Sequence, residues 1–298
     1  MLKHRICGAV YLVIITLFIS CSDKVVNDQK ATYLHLGHIR TENPGEESVN
    51  PYLFDIDYSD FDMLLLGGDL TANSSLADST LVYLDNLFDL DDTNTHWILG
   101  NHDIGNIDKA LTYTKRPEFY SFHKNDITFL VLNSQKESPG DCKIRQDQID
   151  LIKSVTDTIS ESSHLVVLSH KLLWLAGHEN LKKHVGKGKW DWACNYRLDH
   201  SNWNIDIRPM LEHVQKKTDV KVICIAGDIG NNARSFEEKS KSGIIYLASG
   251  LSLTDMPSSK ILILNHNITT GKLSWKFKNL IEYVSRQKKI TQNKQETQ

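Results

Sequence analysis

Short apolar runs recur along this chain and constrain its fold more than any other feature. Eight of them have the length of β-strands, and most end in glycine, aspartate, asparagine or histidine. They read ATYLHL, DMLLLGGD, HWILGNHD, ITFLVLNS, HLVVLSH, VKVICIAGD, GIIYLASG and KILILNH. Helical spacing of apolar residues occurs in STLVYLDNLFDL, RQDQIDLIKSV and IRPMLEHVQKK. This order predicts an α/β sandwich with crossover helices rather than an all-β fold.

Polar side chains follow several of these runs where a strand would end. Asp69 follows one run, residues 101–103 follow the next, and His170 follows a third. Open α/β sheets build their sites at such strand ends, and a rigid apolar strand can hold its terminal side chain accurately. One such residue alone is usually a turn or cap residue. Because several occur in this order, the sequence predicts one shared site.

Composition and charge exclude some classes of function. The chain has 298 residues, of which 40% are hydrophobic and 24% charged, which is typical of a globular protein with a sizeable core. Its net charge is -3, and its lysines are scattered apart from a polar C-terminal run. No basic surface for nucleic acid is therefore expected. The sequence also lacks the glycine-rich phosphate loop of kinases and redox flavoproteins.

The N-terminus has the layout of a secretory signal. Lys3 and Arg5 precede a 14-residue apolar run, 6–19, which is short for a membrane span of about 20 residues. The following LFISCSDK resembles a bacterial lipobox, apart from a phenylalanine where leucine is usual. We expect residues 1–20 to be removed and the mature chain to be exported and lipid-anchored to the bacterial cell envelope through Cys21. An uncleaved N-terminal anchor is the alternative.

The remaining boundaries follow from polarity. Residues 21–30 read as a linker, 31–282 as one domain, and 283–298 as a disordered polar tail with few apolar residues. Cys142 and Cys194 fall in polar stretches and form the candidate disulfide pair. Cys224, within an apolar run, is interpreted as a buried small side chain.

The polar strand ends match a known family pattern. Gly67–Asp69 reads GGD, Gly100–Asp103 reads GNHD, and LSHK contains His170. This series resembles the calcineurin-like metallophosphoesterases, whose pattern is D-x-H, GD, GNHD or GNHE, a strand-end H, then GHxH. The resemblance covers about residues 31–280 and implies a four-layer αββα sandwich. It also implies hydrolysis of phosphoric esters.

The first and last motifs depart from that pattern. LGHIR places His38 and Arg40 where the family has aspartate and histidine, and GDIG places Asp228 and Gly230 where it has two histidines. The family uses two metal ions bridged by the aspartate of its second motif, which implies a bridging role for Asp69.

The departures fall on one of the two implied metal sites. Residue-by-residue transfer gives the first site four ligands: Asp69, Asn101, His170 and Asp228. The second site would need positions 38, 40 and 230, but protonated arginine and glycine cannot be ligands. We therefore expect about one divalent ion per chain, of the Mn, Fe, Zn or Mg type.

Four residues are expected to serve catalysis. Arg40 can replace the lost ion because a guanidinium binds phosphate oxygens in a bidentate way. Next to it, His38 repels phosphate less than an aspartate would. The resemblance implies that His102 binds phosphate and protonates the leaving oxygen, with Asp103 orienting it.

The predicted function is therefore phosphoric ester hydrolysis, on a small-molecule or cell-envelope phosphoester. A catalytically degenerate binding protein with the same fold is the alternative, because two ligand positions are lost. Residues 172–206 are long for a connection and carry Trp174, Trp190, Trp192 and Trp203. This insertion either covers the site, where tryptophans stack on a ring, or packs onto the sheet.

Overall fold

A computed structural model describes residues 28–41, 47–135, 143–176, 201–229, 234–251 and 256–296. The predicted signal peptide, Cys21, the Cys142 and Cys194 pair, and Gly230 lie outside the described residues. Within those ranges, no helix has the length and apolar content needed to cross a membrane.

The first sheet contains five strands in the order β11-β10-β1-β2-β3. Their bounds are β1 Lys30–Leu36, β2 Met63–Leu66, β3 Thr95–Trp97, β10 Lys260–Asn267 and β11 Lys272–Asn279. The strands β1, β2 and β3 are parallel, and β10 and β11 add to them as an antiparallel hairpin. The carboxyl ends of β1 and β2 therefore lie side by side, with Leu36 opposite Leu66.

The second sheet contains six strands in the order β4-β5-β6-β7-β9-β8. Their bounds are β4 Tyr120–Lys124, β5 Ile127–Val131, β6 His164–Ser169, β7 Lys221–Ala226, β8 Arg234–Lys239 and β9 Ile245–Gly250. The central strands β5, β6, β7 and β9 are parallel, and the two edge strands are antiparallel to their neighbours.

Helices cover the outer face of each sheet. Their bounds are α1 Asp78–Phe88, α2 Ile107–Thr114, α3 Gln146–Thr158, α4 Arg208–Lys217 and α5 Leu280–Glu296. One apolar cluster joins α1, α2 and α5 to the first sheet, and another joins α3 and α4 to the second. A third cluster, which includes Tyr33, Phe129 and Ile223, fills the space between the sheets. The predicted four-layer αββα sandwich is confirmed.

The C-terminal segment differs from the predicted disordered tail at 283–298. Helix α5 begins at Leu280, and its first turns place the buried side chains of Leu280 and Val284 against the first sheet. Tyr283 packs on Phe61, and their ring centroids are 6.2 Å apart. Apolar residues four positions apart are enough to anchor an otherwise polar helix.

Both ends of the 172–206 insertion pack into the core of the second sheet. Trp174 stacks on Tyr246 at a centroid distance of 5.3 Å, and Trp203 meets Trp174 edge-on at 6.3 Å. Both tryptophans are fully buried. They therefore hold the two described ends of this segment onto the sheet, while Trp190 and Trp192 lie outside the described residues.

Candidate active site

The site residues lie at strand ends that the two sheets bring together. His38 follows β1, Asp69 follows β2, His170 follows β6 and Asp228 follows β7. A Cβ atom on Gly227 would lie 2.1 Å from the carbonyl oxygen of Gly67. Only glycine allows so close an approach, which joins the first sheet to the second directly beneath the site.

Asp69 lies at the centre of this cluster. Its Oδ1 is 3.4 Å from His170 Nε2, and its Oδ2 is 3.5 Å from His38 Nε2 and 4.0 Å from His102 Nε2. Burial alone would raise the pKa of Asp69, but His170, His38 and His102 outweigh burial and hold that pKa well below its usual range. Asp69 is therefore a buried carboxylate with three imidazoles around it.

His170 has a fixed ring orientation. Its Nδ1 donates to the carbonyl oxygen of Gly67 at 2.7 Å, so Nε2 faces Asp69 and lies 3.9 Å from Asp228 Oδ2. Burial lowers the pKa of an imidazole, but Asp69 and Asp228 outweigh it and raise the pKa of His170 to about 9. Two carboxylates that favour a proton on Nε2 also favour a metal cation there, because the two compete for the same lone pair.

His38 is held in an unusual backbone conformation. Its φ is 48°, in the left-handed region, and that of Asp69 is 54°. Such conformations cost free energy in non-glycine residues and often occur at functional sites. Burial lowers the pKa of His38 to about 4, with a contribution from the charge of Arg40, so the ring is neutral at pH 7.

Arg40 lies beside His38 and is half-buried. Its backbone N–H donates to the carbonyl oxygen of Asp69 at 3.2 Å, and its backbone pairs with Val49. The guanidinium makes no ion pair with a described residue, and its buried Nε finds no hydrogen-bond partner there. Among the described residues, no carboxylate therefore neutralises this positive charge next to the site.

Asp103 is fully buried beneath the site and accepts hydrogen bonds from five donors. They are the backbone N–H groups of Asp69, Leu70 and Gly100, the hydroxyl of Ser74 and Nε1 of Trp97. Burial and the charge of Asp69 raise the pKa of Asp103, against the hydrogen bonds from Ser74 and Gly100. Asp103 fixes the backbone that carries Asp69.

His102 is oriented by a backbone carbonyl rather than by Asp103, which is a correction to the sequence-based expectation. Its Nδ1 donates to the carbonyl oxygen of Ala72 at 2.7 Å, and its backbone N–H donates to Asp69 Oδ1 at 3.0 Å. About 30% of the side chain is exposed, so its Nε2 faces both Asp69 and solvent. Its neighbour Asn101 is exposed and makes no hydrogen bond or ion pair with the described residues.

The donor set fits a divalent cation in its chemistry. His170 Nε2 is buried, has no hydrogen-bond partner in the described part of the chain, and faces two carboxylates. Carboxylate oxygens and imidazole Nε2 are common ligands of Zn²⁺ and Mn²⁺. Among the described His, Cys, Asp and Glu side chains, however, no group of three or more encloses one ion position.

Comparison with known proteins agrees with the fold and the motifs. The model of the calcineurin-like phosphoesterases matches residues 35–203, more than half of the 298 residues. The chain therefore belongs to the calcineurin-like phosphoesterase family. No curated protein matches it.

Solved structures give weaker likenesses. A protein serine/threonine phosphatase from Saccharomyces cerevisiae with similarity to human phosphatase PP5 is 10% identical, with a TM-score of 0.38; the match covers 85% of this chain and 81% of that one. Vps29 from Chaetomium thermophilum is 8% identical, with a TM-score of 0.31, and the match covers 83% and 95% of the two chains.

Sequence reasoning missed one carboxylate beside the site, that of Glu47. Glu47 accepts hydrogen bonds from the loop between Asp69 and α1, close to the carbonyl that orients His102. It follows no apolar run and belongs to no spaced motif. Only the tertiary structure brings it to the site.

Proposed function

We propose that this protein is a metal-dependent phosphoesterase of the cell envelope. Asp69, His170 and Asp228 would hold one divalent ion, and Asn101 remains the predicted fourth ligand. The orientation of His170 carries the proposal, because its Nε2 is buried, has no hydrogen-bond partner among the described residues and faces two carboxylates. A bound ion of this kind supplies an acidified water molecule and a charge for the phosphate oxygens.

Arg40 would bind the phosphate in place of a second ion. Its guanidinium can hold two phosphate oxygens at once, and its charge has no counterion among the described side chains. Neutral His38 would not repel the phosphate, whereas an aspartate at this position would. The expected site therefore combines one ion with one arginine.

His102 would handle the proton of the leaving group. Its Nδ1 keeps a hydrogen bonded to the Ala72 carbonyl, so a second proton can be carried only on Nε2. From Nε2 this proton can pass to the ester oxygen as the bond to phosphorus breaks. The leaving group then departs as a neutral alcohol, and neutral His102 is left to take up a proton from solvent.

Substitution of Arg40 tests the proposal. We expect Arg40→Ala to lower kcat/KM for p-nitrophenyl phosphate about a hundredfold, because a charge contact to the transition state is lost. Arg40→Lys keeps the charge but not the planar fork, and we expect about a tenfold loss. Steady-state kinetics with Mn²⁺ measures both.

The matched control is Arg286→Ala, which removes an exposed arginine from α5 and should leave kcat/KM unchanged. Unaltered hydrolysis in Arg40→Ala would refute the replacement of an ion by arginine.

The alternative function, a binding protein without catalysis, rests on the ligand positions lost at Arg40 and Gly230. It predicts that the unsubstituted protein hydrolyses no phosphoester, whatever metal is added.

We also propose that Cys21 anchors the mature chain to the envelope. The lipobox-like LFISCSDK behind a charged and apolar leader supports this location. Cells given a fatty-acid probe should label the protein, and Cys21→Ala should abolish the label. Equal labelling of the parent and Cys21→Ala, or no labelling of the parent, would contradict the proposal. Cys224→Ala is the control, since the thiol of Cys224 is buried.

A further inference from the structure

Glu47 forms hydrogen bonds with the loop at residues 71–73, whose Ala72 carbonyl orients His102. Its Oε2 accepts from the Thr71 hydroxyl and from the Asn73 backbone N–H, both at 2.7 Å, and its Oε1 accepts from Asn73 Nδ2 at 2.9 Å. Ala72 lies between these two residues, and its carbonyl oxygen accepts from His102 Nδ1. The carboxylate therefore forms hydrogen bonds with the residues on both sides of the carbonyl that contacts His102.

The same residue connects this loop to the segment that carries Arg40. Arg40 pairs with Val49, and Thr41 N–H donates to the carbonyl oxygen of Ser48 at 3.0 Å. The hydroxyls of Thr41 and Ser48 are also 2.8 Å apart. Glu47 directly precedes Ser48, so its carboxylate links the segment that carries Arg40 to the loop that carries Ala72.

We propose that Glu47 is a positioning residue for this hydrolysis: it fixes the Ala72 carbonyl and thereby keeps His102 in the form with hydrogen on Nδ1. This inference rests on the proposed phosphoesterase function. Burial raises the pKa of Glu47, but hydrogen bonds from Thr71 and Asn73 outweigh it and lower that pKa, so the carboxylate is ionised at neutral pH. Charged acceptors make the stronger hydrogen bonds.

The loop does not depend on Glu47 for its fold. Ser74 holds it from the inside, because its hydroxyl accepts from Thr71 N–H at 2.9 Å and donates to Asp103 at 2.5 Å. Its own N–H donates to the carbonyl oxygen of His102 at 3.0 Å. We therefore expect loss of Glu47 to free the Ala72 carbonyl while these hydrogen bonds of Ser74 keep the surrounding chain in place.

Two measurements on Glu47→Ala test the inference, both on the mature chain loaded with diamagnetic Zn²⁺. We expect kcat to fall about thirtyfold for phenyl phosphate but only about threefold for p-nitrophenyl phosphate, because the better leaving group needs little protonation. KM should stay within about twofold. Long-range ¹H–¹⁵N correlation, assigned by His102→Gln, should show that His102 no longer keeps its proton on Nδ1 alone.

The controls separate positioning from a general structural effect. Glu47→Gln should stay within about threefold of the parent, because the Asn73 amide can flip to satisfy the new amide group. Asp57→Ala, which removes a carboxylate from Ser59 at a distant surface turn, should change neither readout. Equal losses on both substrates, or an unchanged His102 tautomer, would overturn the inference. A parent that hydrolyses neither substrate would refute the proposed function, and the tautomer would still decide the role of Glu47.

Discussion

Asp69→Asn is expected to lower kcat/KM for p-nitrophenyl phosphate about a thousandfold or more. Asp69 faces His38, His102 and His170 from one buried position, so its charge serves every proposed role in the site. An amide keeps the shape of the side chain but loses the negative charge that attracts a cation. Steady-state kinetics, with metal content measured on the same samples, checks this expectation.

Asp62→Asn provides the matched control. Its Oδ2 accepts from Thr32 N–H at 2.7 Å, next to the start of β2 and therefore at the opposite end of the strand from Asp69. Asparagine can accept the same hydrogen bond, so activity and metal content should remain those of the parent. If Asp69→Asn keeps more than about a tenth of the activity, the assigned centre of the site is wrong.

Asp103→Ala is expected to lower the free energy of unfolding by about 4 kcal/mol, because it leaves several buried donors without an acceptor. Among them are the N–H groups of Asp69 and Gly100 and the indole of Trp97. Urea unfolding followed by circular dichroism measures the change.

Ser74→Ala removes one of the five donors to Asp103 and the acceptor for Thr71 N–H, and should cost about 2 kcal/mol. Asp103→Asn should fall between the two, since its amide nitrogen would meet donors instead of accepting from them. A free energy of unfolding for Asp103→Ala within about 1 kcal/mol of the parent would show that the network beneath the site does not stabilise it.

The strands that the sequence predicted are those made mostly of buried, apolar side chains, including β3 at a sheet edge. All eight apolar runs form strands, whereas β4, β8 and β11 were not predicted. Each of these three lies at the edge of a sheet, where polar side chains are common and the apolar signal weakens. Tyr120–Lys124, for example, alternates half-buried and exposed residues instead of forming an apolar run.

The helices show the same limit. The three apolar patterns at helical spacing correspond to α1, α3 and α4, but α2 and α5 were missed. Polar composition hid α5, although Leu280 and Val284 already have helical spacing. Composition averages the exposed and buried faces of a helix, and most residues of α5 lie on its exposed face.

The site could be predicted where residues end strands. Asp69, His170 and Asp228 were recognised as strand-end residues, and the parallel strands bring them together. The part played by Asp103 could not be predicted, because its partners come from four stretches of chain near residues 69, 74, 97 and 100. Glu47 is a similar case, since its contacts depend on how two loops fold against each other.

In the proposed site, one metal ion and one arginine take the place of two ions. This replacement is tested most directly by elemental analysis of the mature chain after saturation with Mn²⁺ and removal of free ion. We expect about one equivalent per chain, and none in Asp69→Asn, since Asp69 and Asp228 face His170 while a protonated Arg40 cannot be a ligand. Two equivalents in the parent would show that His38 and Arg40 leave the second site intact, and none would show that Asp69, His170 and Asp228 hold no metal. Either result would refute the proposed site.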